Sequence, residues 1–113
     1  MAELPVEITT IVLDLQRRLL TNINHATTVN YLLLERYGET EASVVDMEML
    51  QNCKESAETY YSRFSTLLLR IAEAQPHANT AMLSLLDKTI AEAEAIKDAQ
   101  TATIQEVTRD WDI

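Results

Sequence analysis

The chain has 113 residues, 47% of them hydrophobic and 24% charged, with a single Gly and two Pro. Gly alone makes up ~7% of an ordinary chain, and a β-sandwich or barrel of this length turns about every ten residues at positions that favour Gly or Asn-Gly, so the composition points to helices joined by few connections. The formal net charge is −9, from 18 acids against 9 bases, which argues against a nucleic-acid backbone or an anionic membrane surface as partner, since either needs a clustered basic face.

Residue by residue, other classes fall away. A phosphate-cradling loop needs at least two glycines in a short span, and Gly38 stands alone. Cys53, the one cysteine, excludes CxxC redox chemistry, an internal disulfide and a cysteine-rich zinc site, and reads as a small buried hydrophobe in a reducing compartment. The bases look scattered, with only Arg17 and Arg18 adjacent. The start, Met1 to Pro5, is acidic and precedes no apolar h-region, and no run approaches the ~18 apolar residues of a membrane span. The expectation is a cytoplasmic protein with residues 1–113 forming one domain.

In chain order, the first helix is predicted over 5–37. Pro5 suits the first helical position and Glu7 complements the positive end of the dipole, while Gly38 stops the run. Between them Ile8, Val12, Leu15, Leu19, Ile23, Ala26, Val29, Leu33 and Tyr37 recur at steps of three and four. The second helix is predicted over 44–74, with Ser43-x-x-Asp46 resembling a capping box. Its seam is the most regular in the chain, running through Leu50, Cys53, Ala57, Tyr60, Phe64, Leu67, Ile71 and Ala74. Gln75 precedes Pro76 and is biased out of helical geometry. The third helix is predicted over 77–111, from Pro76 or an Asn79 cap, with Met82, Leu85, Leu86, Ile90, Ala93, Ile96, Ile104, Val107 and Trp111 on one face. Acids around Trp111 oppose the negative end of the dipole, so its last turn should fray. The expected fold is all-α: an elongated antiparallel up-down-up bundle of three long helices.

Projection of the first helix at about 100° per residue places Ile11 and Val29 at one edge of its apolar face and Leu13, Leu20 and Tyr31 at the other, an arc of ~200°. A bundle helix needs little more than about 100°. The excess predicts completion of the bundle by oligomerisation or by another helical protein, with Leu13, Leu20, Tyr31 and Leu34 as the contact stripe.

Three amides, Asn22, Asn30 and Gln100, fall within apolar stripes, where an unpaired amide costs ~1–3 kcal/mol. Counted from Pro5 and Pro76, Asn30 and Gln100 stand at matching heights, which predicts that they bond each other and fix register. The Tyr60 hydroxyl is a weaker candidate partner for Asn22. The segment from Thr21 to Asn30 is poor in helix formers and reads either as a bend or polar notch, or as ordinary helix held by packing.

No catalytic constellation emerges. Neither His25 nor His77 has a Glu three residues before it, as a bundle metal site of the Glu-x-x-His kind requires, and no nucleophile is spaced to either. Glu92, Glu94 and Asp98, and likewise Asp46 and Glu48, read as solvated faces. No catalytic residue, metal ligand or cofactor is assigned. The leading expectation is a non-enzymatic interaction or scaffold protein acting through the first helix. The alternatives are a small-molecule-binding bundle with a cavity near Asn22, Asn30 and Tyr60, and an acidic inhibitor or chaperone of a basic partner.

Overall fold

A computed structural model describes residues 4–113. The described chain forms three helices, α1 (Val6–Tyr37), α2 (Glu41–Glu73) and α3 (Thr80–Asp110), within extents of 57 × 19 × 17 Å. Cross-links fix their directions. Gln16, in the first half of α1, bonds Tyr61 and Ser65 in the second half of α2, so these helices are antiparallel. Asn22 of α1 bonds Gln100 of α3, and Tyr37 at the end of α1 bonds Trp111 at the end of α3, so these two run parallel. The fold is the up-down-up three-helix bundle that the spacing predicts.

The helix ends differ in detail. Pro5 lies just before α1 rather than inside it, and its carbonyl accepts from the amides of Ile8 and Thr9 at 3.1 and 3.2 Å. Gly38 closes α1 with φ +71° and ψ −175°, a region open essentially to glycine alone, while its amide donates to the Leu34 carbonyl at 2.9 Å. The cap of α2 is Thr40, not Ser43, so the helix starts at Glu41 instead of residue 44. Ser43 is the third helical residue: its amide donates to Thr40 Oγ1 at 3.1 Å, its Oγ accepts from the Thr40 amide at 2.7 Å, and that hydroxyl donates to the Gly38 carbonyl at 2.8 Å. A hydroxyl at both positions makes the box, and Asp46 is freed for another role. The second connection runs over 74–79. Asn79 caps α3 by accepting from the Ala81 amide at 2.7 Å, which sets the start at Thr80 rather than at residue 77.

The core divides in two along the long axis. A larger cluster around Phe64 gathers Val12, Leu15, Leu19, Leu67, Ile71 and Leu86 near the N-terminal end of α1. A second gathers Ala26, Val29, Leu33, Leu50, Cys53, Ile104 and Val107 near its C-terminal end. The amides of Asn22 and Gln100 lie at the level between them.

Candidate functional site

The level between the two clusters holds a connected polar layer. Asn22 is 4% exposed, and its Nδ2 donates to Gln100 Oε1 at 3.1 Å and to the Lys97 carbonyl at 3.2 Å. Its Oδ1 accepts from Thr101 Oγ1 at 3.2 Å. Asn22, not Asn30, is therefore the partner of Gln100. The paired residues are 78 apart in sequence, against the 70 that separate the expected pair, Asn30 and Gln100. Roughly half of that eight-residue slip, ~12 Å at 1.5 Å per residue, comes from the later start of α3, and the rest from α3 reaching one turn beyond the start of α1. Asn30 is half-buried, with its Oδ1 enclosed and unpartnered among the described residues, as is Gln100 Nε2.

Tyr60 does not approach Asn22 as expected. It sits on the α2/α3 side, where its hydroxyl donates to Glu92 Oε2 at 3.1 Å, and the Arg63 guanidinium lies over its ring at 4.8 Å from the centroid. Glu92 is thus a half-buried acceptor rather than a bystander on a solvated face, with Arg63 and Lys88 within 3.8 and 3.9 Å. Asp46 departs from its reading in the same way. It accepts from Trp111 Nε1 at 2.6 Å, while Tyr37 donates to the Trp111 carbonyl at 2.8 Å and the two rings stand 4.9 Å apart at 57°. The last turn of α3 is latched to both other helices where fraying was expected. No sequence spacing signals this latch, because its three members come from three different helices.

The segment from Thr21 to Asn30 stays helical within α1. Its threonines adapt to the helix by bonding back, Thr21 to the Arg17 carbonyl at 3.1 Å and Thr27 to that of Ile23 at 2.9 Å. The polar side chains of Thr21, Asn22 and His25 line a groove between α1 and α3, opposite Lys97 and Thr101. Asn30 and Tyr60 take no part in it. Cys53 is buried, and burial pushes its thiol above the ordinary range. Among the described residues no group of three or more His, Cys, Asp or Glu is placed to hold a metal ion, and no helix is long and apolar enough to cross a membrane.

On the outer side of α1, Leu13, Leu20, Tyr31 and Leu34 are 53%, 49%, 64% and 52% exposed. Val6, Leu13, Leu20, Thr27 and Leu34 stand at successive intervals of seven residues, all of them exposed. A seven-residue repeat is the period at which one helix meets another along its length. Glu35, one turn beyond Tyr31, holds its phenol above the usual range by hydrogen bonding. Gln16 lies between this stripe and the core and was not singled out from the sequence. Its Nε2 donates to Ser65 Oγ at 2.9 Å and to the Tyr61 carbonyl at 3.2 Å, joining α1 to α2. No family model, curated protein or solved structure matches this chain.

Proposed function

We propose that the chain is a non-enzymatic interaction or scaffold protein that presents the outer face of α1 to a helix of a second copy or of another protein. The observation that carries this reading is the exposed heptad of Val6, Leu13, Leu20 and Leu34, with Tyr31 beside it, on a helix whose inner face is already filled by α2 and α3. Single exposed leucines are ordinary. A line of them at the coiled-coil period, some 40 Å long from Val6 to Leu34 at 1.5 Å per residue, is a surface on which a second helix gains continuous burial. Nearby Thr27 and Arg17 keep the stripe from being uniformly apolar, which suits an interface that forms between folded partners.

The test is native mass spectrometry of the protein isolated from its own cells, wild type beside Leu13→Asp/Leu20→Asp. The wild type is expected in species heavier than one 12.8 kDa chain, and the variant as single chains with unchanged helical circular dichroism. Identical species from the two proteins would remove the stripe as the contact.

A further inference from the structure

The nine Lys and Arg of this chain look dispersed in the sequence, yet the bundle gathers several of them. Arg17, Arg18 and His25 from α1 and Lys97 from α3 line one groove of about 380 Å³, in which Asp98 is the only acid among the lining residues. A second cavity of about 540 Å³ continues the groove past His25 and adds Arg109 and Asp112. Four of nine Lys and Arg, and one of two His, thus face one side of a molecule with net charge −9.

The groups are held rather than loose. Asp14 bridges the two arginines, accepting from Arg17 Nη2 at 2.8 Å and Arg18 Nε at 3.0 Å. The Arg17 hydrogen bond, with help from both positive charges, keeps the Asp14 carboxyl below its usual range, so it stays charged. One carboxylate occupies one nitrogen of each guanidinium, and among the described residues no acceptor meets the remaining N–H donors of either fork. The Lys97 side chain is only 14% exposed, and its ammonium stands 3.3 Å from Asp98. Behind it, Lys97 is fixed by its own carbonyl, which accepts from both Asn22 and Thr101. The polar layer of the core is therefore also the wall of the groove.

We propose that this groove binds a phosphate-bearing small molecule, with Arg18 and Lys97 as its main anion contacts and Arg17 and His25 as further donors. Open guanidinium forks and an ammonium suit phosphate oxygens, through charge-assisted and bidentate hydrogen bonds. The size of the groove falls in the range of small-ligand sites, about 300–1,000 Å³. A long polyanion is disfavoured, because the positive region is short and the rest of the molecule repels it. Arg17 borders both this groove and the leucine stripe, but Arg18, His25 and Lys97 lie on the α3 side of α1, away from the stripe, and do not depend on the interaction proposed there.

The experiment is a titration of isotope-labelled protein with inorganic pyrophosphate at constant ionic strength, read by two-dimensional NMR. The expected result is saturable shifts confined to the amides around Thr21, His25, Lys97 and Thr101. Arg18→Gln and Lys97→Gln should each weaken binding about tenfold or more, whereas Arg70→Gln, on another face, should leave it unchanged. Amide spectra of the free variants establish that each is folded, and Arg18→Gln, at a half-exposed position, keeps the test open if Lys97→Gln perturbs the core. Shifts spread equally over Arg36, Arg63 and Arg70, or affinity unaltered in both groove variants, would overturn the proposal. So would binding to vesicles containing phosphatidylglycerol without any response to pyrophosphate, since the phosphate would then be recognised as part of a lipid surface.

Discussion

The two halves of the core are built differently. Around Phe64 the chain relies on volume: a fully buried aromatic ring is packed among leucines, with Val12, Leu19, Ile71 and Leu86 at no more than 1% exposure. At the other end no aromatic ring stands among the fully buried residues, Leu33, Leu50 and Ile104 share the fill with Ala26, Val29, Cys53 and Val107, and the rim is tied by Trp111 to Asp46 and Tyr37. Between them stands the layer of Asn22 and Gln100. The contrast teaches that one sequence period can support two kinds of end. Apolar area stabilises the first, and directional bonds between helix termini hold the second in register.

Substitutions can break this contrast in graded steps. Phe64→Ala empties the centre of the larger cluster and should lower stability by ~3–5 kcal/mol, read as a fall in the urea midpoint. Asn22→Leu leaves Gln100 and Thr101 without their shared partner and should lower it by ~1–3 kcal/mol. Pairing that change with Gln100→Leu should recover much of the loss, because both members of the amide pair are then removed together. Trp111→Phe keeps the ring but deletes the donor to Asp46, and is expected to lower global stability by only ~1 kcal/mol. Hydrogen exchange should nevertheless speed up selectively around Leu33, Leu50 and Val107, with the amides around Phe64 unaffected. The smallest effect concerns Cys53. Burial raises its folded pKa, so as pH climbs the unfolded chain loses the thiol proton first, and stability declines through the alkaline range above the ordinary thiol value near ~8.5. At neutral pH the folded protein should react with iodoacetamide more slowly than the urea-unfolded chain, and Trp111→Phe should narrow that difference.

Much of the architecture was legible because helical period and burial report the same positions. Of the regular seam of the second helix, Leu50, Cys53, Ala57, Phe64, Leu67 and Ile71 are buried, while Tyr60 and Ala74 are half-buried. Register was not legible. The height of Gln100 against α1 depends on how residues 74–79 travel before α3 begins, and the Asn79 cap, not Pro76, fixes that start. Counting from prolines therefore paired Gln100 with the wrong asparagine. The sequence pointed to Ser43 as the cap of the second helix, whereas Thr40 takes that role and Ser43 closes the box while also donating to the Gly38 carbonyl, outside the usual four-residue motif. The polar notch of α1 was visible as composition, but its facing residues, Lys97 and Thr101, lie more than seventy positions away, and only packing brings them together. The stripe of Leu13, Leu20, Tyr31 and Leu34 came from the width of one apolar arc, to which neighbouring helices contribute nothing.

Trp111 is the only tryptophan in the chain, and its indole reports on a single place, the rim where the ends of α1 and α3 meet the start of α2. Tryptophan emission, excited selectively over that of the four tyrosines, is thus a local optical probe of the rim rather than of the region around Phe64, whereas far-ultraviolet ellipticity averages over all three helices. Melting curves from the two signals superimpose only if the molecule unfolds as one cooperative unit. An emission change that precedes the loss of ellipticity would identify the rim as the first part to open.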